Sequence, residues 1–438
     1  MTYLKKVFKK VKEKVYGIFT KGGEVNWRRV KAVVLLTLGS FYLIVLLFAA
    51  FSPSTDPLAL MKDRLPPPEI GSRAAVVMDA ATGTFVFLRN PDKEIPPASL
   101  TKVMTMHLAF SEIAAGRAAL EDIIIPPQES WAVNQPPRSS LMFLAYGQQV
   151  SFQELLLGLA VPSGNDAAVA VALHLAPSVE EFAEMMTGQA QAMGLTSTRF
   201  VEPSGISEYN MTTAREFAYF VRNYIQMWPE SLSDFHSVRY FSFPRLEHMT
   251  NPSQSRVRTI RQGNSNSLLH TTEGVDGLRT GFIYASGFNT SLTAERNGTR
   301  FVAVILGAPA TRSGRSIREA DGRNLLEWAF SSYSTVRLEL DELQRVRVLM
   351  GSDDYAVVEF GAPLEFTAPL PRGKDINWKF SVQTPLIAPL YAGSKVGNLI
   401  VSDSFGELKR IPLLVTEDVQ RGTLLKQIFD MVSFLSMR

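Results

Sequence analysis

Apolar residues recur along this chain with two periods, and the change of period divides it. AAVVMDAATGTFVFLRN at 74–90 alternates and is interrupted by Thr82-Gly83, which predicts two strands joined by a turn. The windows 99–115, 151–162, 165–176, 179–193 and 213–226 carry apolar residues at helical spacing and predict helices. Thr213 followed by Glu216 has the spacing of a capping box and marks the start of the last helix. Residues 284–294 and 300–308 are apolar and β-branched and read as strands, and 316–331 return to helix. A strand pair, then helices, then strands, then a helix is the order of an α+β body, with a mostly antiparallel sheet and a helical insert.

Beyond about residue 336 the texture shortens. YAVVEFG, LEFTAPL, INWKFSVQT and KVGNLIVSD are brief alternating runs split by Gly, Pro and Asp, which predicts an all-β module over 337–416. In 417–438, Leu425, Ile428, Phe429, Val432 and Leu435 fall on one helical face. That is the pattern of an amphipathic helix lying on a membrane surface, and equally of a helix docked on its own β module.

The opposite end of the chain is different again. Residues 32–51, AVVLLTLGSFYLIVLLFAAF, hold no charge and match a bilayer's hydrocarbon core in length. Residues 1–31 before them carry ten Lys/Arg against Glu13 and Glu24, a net +8, which places the amino terminus on the cytoplasmic side. A transmembrane signal anchor is the reading preferred here. A cleaved signal peptide is its rival, with Ala50-Phe51-Ser52 before Pro53 as a poor cleavage site. Residues 52–70, with Pro53, Pro57 and Pro66-Pro67-Pro68, form an extended linker to a body that begins at 71 and runs to 336.

Composition then narrows the chemistry. The 438 residues contain no cysteine, which removes thiol catalysis, disulfides and thiolate metal sites. Subtracting the tail leaves 35 basic and 40 acidic residues, a net −5, so the folded part has no excess of positive charge for nucleic acid. His107, His174, His236, His248 and His270 show no ligand spacing, so neither metal nor cofactor is expected.

Four short signals remain. Ser99-Leu100-Thr101-Lys102 opens the first helix, and residues at i and i+3 share a helical face, so the Ser99 hydroxyl and Lys102 amine can meet. A serine needs an adjacent base, and a buried lysine becomes one when its pKa falls. Residues 103–373 contain 21 arginines and no lysine, so a lysine at 102 stands out as a choice that arginine, always protonated, does not satisfy. Ser163-Gly164-Asn165 lies on a turn between two apolar helices and reads either as a proton relay with an amide or as a helix cap. Asp276-Gly277-Leu278-Arg279-Thr280-Gly281 reads as a cation and hydroxyl at a strand edge able to hold a carboxylate, or as a plain hairpin edge. Arg318 reads as a carboxylate clamp or a solvated helix charge.

S-x-x-K, then S-x-N, then a K-T-G-like triplet resembles the penicillin-recognising serine acyltransferases. Ser139-Ser140-Leu141-Met142-Phe143, SGNDA at 163–167, VDGLRTG at 275–281, SGFN at 286–289 and LLEWAF at 325–330 narrow it to D-alanyl-D-alanine carboxypeptidases, the low-molecular-mass penicillin-binding proteins. The resemblance covers about 74–438. It implies a penicillin-binding-protein/β-lactamase-like α+β domain followed by a small all-β domain. It implies an acyl-enzyme on Ser99 with Lys102 as base, Ser163 as proton shuttle and Asn165 on the substrate carbonyl. Thr280 with Arg318 would hold the terminal carboxylate, and the backbone amides of Ser99 and Phe282 would form the oxyanion hole. The implied substrate is the pentapeptide of peptidoglycan and the implied inhibitors are β-lactams, at a bacterial cytoplasmic membrane with the catalytic domain on its extracytoplasmic side. Arg279 departs from the family lysine, keeping the charge but not the shape. An endopeptidase of D-Ala cross-links, and a low-activity wall-binding protein, are the alternatives on the same fold.

Overall fold

The computed structural model describes residues 66–438, except 252–257, 342, 374, 437 and 438, together with the two-residue strands Thr20–Lys21 and Glu24–Val25. The span expected at 32–51 lies outside the described residues. Among those described, no helix is long and apolar enough to cross a membrane.

Five strands form the central sheet: β1 (Ala74–Asp79), β2 (Phe85–Arg89), β3 (Val275–Ile283), β4 (Gly287–Arg296) and β5 (Thr299–Ala308). Their spatial order is β2-β1-β5-β4-β3 and every pairing is antiparallel. Strands β1 and β5 are apolar on both faces, because both faces are covered. Val76 and Met78 of β1, with Val302, Val304 and Leu306 of β5, point into a core shared with the helices. Ala75, Val77, Phe301, Ala303 and Ile305 point the other way, into a second core. The last strand, β3, is an edge. The chain turns at 284–286, so the segment 275–281 is itself strand and not merely the approach to one.

The helices follow the predicted windows: α1 (Lys102–Ala114), α2 (Phe152–Ala160), α3 (Asn165–Leu175), α4 (Val179–Ala192), α5 (Ala214–Met227) and α6 (Gly314–Ser332). Helix α1 is buried continuously from Lys102 to Ala109, so it is a central helix enclosed on all sides. The capping box at α5 is half made. Thr213 accepts from the Glu216 amide, but the Glu216 carboxylate is taken by Ser197 N at 3.0 Å and Thr198 Oγ1 at 2.5 Å. A complete box occurs at α2 instead, between Ser151 and Glu154.

Strands β6 (Tyr333–Arg337) and β9 (Glu365–Pro369) pair with each other and carry the chain out of the α+β body. The Asp79 carboxylate accepts from Thr335 Oγ1 at 2.9 Å and Thr367 Oγ1 at 2.8 Å, tying that pair to β1. Beyond it stands the all-β module: β7 (Leu343–Leu349), β8 (Tyr355–Phe360), β10 (Asn377–Val382), β11 (Lys395–Asp403) and β12 (Gly406–Val415). They order as β10-β11-β12-β8-β7, with Leu386–Ile387 parallel on the far side of β7. Helix α7 (Leu424–Ser436) touches this module through its polar residues: Asp430 accepts from the Met350 amide at 2.7 Å and Lys426 pairs with Asp354. Leu425 and Phe429 are left 82% and 73% exposed.

Candidate active site

The Pro96-Pro97 pair stops any helix from starting earlier, and Ala98–Thr101 forms a single 3-10 turn that runs into α1. The turn brings Ser99 and Lys102 together, with Lys102 Nζ 3.2 Å from Ser99 Oγ. Lys102 is fully buried. Its Nζ also stands 2.7 Å from Asn165 Oδ1 and 2.5 Å from Ser204 O. A neutral amine has two N–H groups and one lone pair. The two carbonyl oxygens take both N–H groups, which leaves the lone pair for the Ser99 hydroxyl. Burial pushes the Lys102 pKa well below its usual value, the Arg279 charge pushes the same way, and Glu202 and Asp166 oppose both.

Ser163 and Asn165 arrive on the link between α2 and α3. Ser163 is in the left-handed region at φ +71° and Gly164 occupies the cap position with no side-chain cap bond, so neither polar neighbour spends its side chain on capping. A Cβ at Gly164 would stand 2.7 Å from Asp166 Oδ1 and 3.1 Å from Met142 N. Asp166 is what fixes this turn. Its carboxylate accepts from the amides of Met142, Phe143 and Leu144 at 2.8–3.0 Å, and from Ala167 at 2.9 Å. Burial pushes its pKa up while those donors hold it down.

Strand β3 forms another wall. Thr280 is buried and donates from Oγ1 to Ser265 O at 3.2 Å. Gly281 lies so close to the nucleophile turn that a Cβ there would meet Ser99 N at 2.6 Å. Phe282 is 37% exposed and leans on Phe288, ring centroids 4.4 Å apart. The cleft over Ser99 has a volume of about 700 Å³ and is lined by Ser99, Asn165 and the segments 137–140, 205–209 and 282–285. A larger depression of about 930 Å³, at Glu273, Glu327 and Leu370, holds none of these residues.

Two predicted residues stand elsewhere than expected. Arg279, on the edge strand β3, does not face outward to a carboxylate: it is 1% exposed, donates from Nη1 to Ala160 O at 2.6 Å, and leaves Nε and Nη2 without partners. The reason is packing on its face of β3. Gly277 and Gly281, two residues to either side, abut His236 and the Ser99 turn respectively, and Arg279 is enclosed between them. Burial pulls its pKa down to about 9. Arg318 is buried too, paired with Glu319 at 3.1 Å and 5.9 Å from the Phe288 ring centroid. It makes no hydrogen bond to Thr280 among the described residues.

The structure adds residues that the sequence reading passed over. Glu202 binds the amides of Ser204 and Gly205, each at 2.7 Å, and thereby aims Ser204 O at Lys102. Gly205, at φ +83°, lets that loop close on the nucleophile turn, since a Cβ would overlap Ala98 O at 1.9 Å. The local text Glu-Pro-Ser-Gly carries a turn signal but no chemical one. His248, for which no ligand spacing was found, lies with Glu154 and Glu247 within 4.8 Å. The Arg245 guanidinium occupies both carboxylates at 2.7 and 3.0 Å, which makes the group an ion-pair knot.

The family model for D-alanyl-D-alanine carboxypeptidase matches residues 61–310. The chain belongs to that family. A second model, the C-terminal domain of penicillin-binding protein 5, matches residues 339–421. The D-alanyl-D-alanine carboxypeptidase DacC of Escherichia coli K12 is 32% identical over 372 residues, 83% of this chain and 88% of the relative. The crystal structure of penicillin binding protein 5 from Haemophilus influenzae is similar at a TM-score of 0.67 and 30% identity, covering 82% of this chain and all of that one. Penicillin-binding protein D2 of Listeria monocytogenes, solved with cefotaxime bound, is similar at 0.52 and 26% identity, covering 61% of this chain and all of that one.

Proposed function

We propose that this chain is a serine D-alanyl-D-alanine carboxypeptidase that removes the terminal D-alanine of peptidoglycan stem peptides, and that β-lactams acylate the same serine. The observation that carries the reading is the buried Lys102 amine, 3.2 Å from Ser99 Oγ with both its N–H groups engaged. Ser99 Oγ attacks the carbonyl carbon of the penultimate D-alanine as Lys102 takes its proton. The oxyanion sits against the backbone amides of Ser99 and Phe282. The C–N bond then breaks and the departing amine takes a proton passed through Ser163. Water hydrolyses the resulting ester. Asn165 holds the substrate carbonyl, and Thr280 holds the terminal carboxylate in the field of Arg318. Arg279 acts from beneath, as charge that keeps Lys102 neutral, rather than by touching substrate.

The same proposal covers location. Residues 32–51 anchor the chain in a bacterial cytoplasmic membrane with the catalytic domain on the extracytoplasmic side, and α7 rests its exposed apolar face on the membrane surface. Mass spectrometry after incubation with benzylpenicillin, alongside D-alanine release from a pentapeptide, tests the activity. A covalent adduct on Ser99 with stoichiometric D-alanine release is expected. An unmodified protein would overturn the reading.

A further inference from the structure

The strands Tyr240–Phe243 and Ile260–Gly263 pair antiparallel in a hairpin that acyl transfer does not use. Tyr240 stands opposite Gly263 and Ser242 opposite Arg261, so Tyr240, Ser242 and Arg261 share one face. Phe241 and Phe243, on the other face, are buried in the helical core. On the outward face the Arg261 guanidinium lies over the Tyr240 ring, 3.9 Å from its centroid, and the His270 ring centroid is 6.2 Å from that of Tyr240. Among the described residues four arginines lie over aromatic rings in this way. Three also close on carboxylates: Arg215 on Asp92 at 2.6 Å, Arg296 on Glu327 at 2.6 Å and Arg318 on Glu319 at 3.1 Å. Arg261 makes no ion pair or side-chain hydrogen bond among the described residues. The ring holds its planar face, and its N–H edge is left to take a carboxylate by two parallel bonds.

The surrounding chain is short of acid. Residues 235–272 hold five arginines and one acidic residue, Glu247, a net +4 in a chain that is −5 beyond its tail. Glu247 is itself paired with Arg245 at 3.0 Å. The hairpin is also bonded to two walls of the cleft. Gln262 Nε2 donates to Leu141 O at 2.8 Å, next to the cleft-lining segment 137–140. Just past the second strand, Ser265 O accepts from Thr280 Oγ1 at 3.2 Å. Arg261, one residue from Gln262 and facing the opposite way, is thereby held beside the cleft and outside it.

We infer that Arg261, clamped on Tyr240, is an exosite for polymeric peptidoglycan, taking the free carboxylate of a stem peptide that neighbours the one being cut. The inference rests on the carboxypeptidase reading. Every uncrosslinked stem of that substrate ends in a carboxylate, repeated along the polymer, and a carboxylate matches the guanidinium fork. A lone pentapeptide places its terminal carboxylate at Thr280 and brings no neighbour, so it gains nothing from the exosite.

Full-length protein in detergent, given either glycan strands bearing uncrosslinked pentapeptides or the free pentapeptide, tests it. The readout is kcat/KM for D-alanine release from the strands divided by that from the free peptide, with benzylpenicillin acylation reporting that the cleft is intact. Wild type should favour the strands by about tenfold, the size of one charge-assisted hydrogen bond. That preference should fade as ionic strength rises from about 0.01 M to about 1 M, because the screening length drops from about 30 Å to about 3 Å. Arg261→Gln should erase the preference through KM and leave the free-peptide rate and penicillin acylation unchanged. Tyr240→Phe, which keeps the ring, should keep the preference, and Tyr240→Ala, which releases the guanidinium, should lose most of it. A wild type that treats strands and free peptide alike, or an Arg261→Gln variant that keeps the preference, would overturn the exosite. Absence of both D-alanine release and a penicillin adduct would overturn the carboxypeptidase reading instead.

Discussion

At position 279 one buried charge pulls stability and activity in opposite directions. The Arg279 guanidinium has a single hydrogen bond, to Ala160 O at 2.6 Å. Burial takes its pKa from the ordinary 12.5 to about 9. At about 1.4 kcal/mol per pKa unit this is about 5 kcal/mol by which burial disfavours the charged form. The sign follows from linkage: a base whose folded pKa is depressed binds its proton less well when folded, so the fold carries that cost wherever the group is charged. Arg279→Gln removes the charge. Leaving Ala160 O without a partner returns about 1–3 kcal/mol. A net gain of about 2 kcal/mol is expected, or about 4–8 °C in Tm at 2–4 °C per kcal/mol. Activity moves the other way. After burial, Arg279 is the next largest influence holding Lys102 neutral, so its loss raises the Lys102 pKa. The rising limb of the acylation rate shifts to higher pH, with a loss approaching about tenfold for each pKa unit at pH values below the limb. Arg279→Lys keeps the charge and should change the rate about tenfold or less. Penicillin acylation rates from about pH 6 to 10, with calorimetric melts of the same samples, measure both effects. A Gln variant that melts lower than wild type with an unmoved pH limb would refute the reasoning. A thousandfold faster Lys variant would mean that the natural residue cripples the enzyme, and would favour a wall-binding role.

Ser99→Ala should abolish penicillin labelling without lowering Tm, because the lost hydroxyl is the bond-forming atom and fills little volume; labelling at full stoichiometry would remove Ser99 from its role. Gly281→Ala should slow acylation by about a hundredfold or more, the scale of losing one oxyanion donor, because its Cβ displaces Ser99 N, 2.6 Å away; an unchanged rate would show that this strand and turn can part freely. Burial holds His107 down to about 4 against an ordinary 6.5, so stability is full above 6.5 and is lost as pH falls towards 4. That is about 3 kcal/mol, and His107→Gln should flatten the fall in Tm across the window; parallel slopes would refute the assignment. Deletion of 417–438 should leave the chain membrane-bound through 32–51, as read by fractionation, and release into the soluble fraction would mean that the amino-terminal span had been cleaved.

The elements were legible wherever the period of apolar residues outlasted local noise. Strands β1 and β5 read cleanly because both faces are covered, and α2, α4 and α5 because each buries one stripe. Thr213-Glu216 shows the limit of such text. The spacing of a capping box was present, but Ser197 and Thr198 compete for the same carboxylate, and they approach through tertiary contact. The C-terminal helix shows another. Its apolar face was plain in the sequence, while the docking of Lys426 and Asp430 depends on where β7 and β8 present Met350 and Asp354.

At the site, sequence separation divides what local spacing could reveal from what it could not. Ser99 and Lys102 are three residues apart, and one helical turn is enough to relate them. Lys102 reaches Asn165 across 63 residues and Ser204 across 102, and Arg279 reaches Ala160 across 119. No local pattern encodes those closures; the Asn165 contact was reachable only through the family's motif order, and the Ser204 and Ala160 contacts not at all. Yet these long-range contacts determine the chemistry. Two carbonyl oxygens fix which way the Lys102 lone pair faces, and the enclosure of Arg279 turns a surface cation into a buried field. The serine–lysine pair alone describes a helix start with a polar face. It becomes a nucleophile and base only when Glu202, Asp166 and the close approaches at Gly205 and Gly281 shut the surrounding segments onto it. Substitutions at those four positions should therefore impair acylation even though none of them supplies a reacting atom.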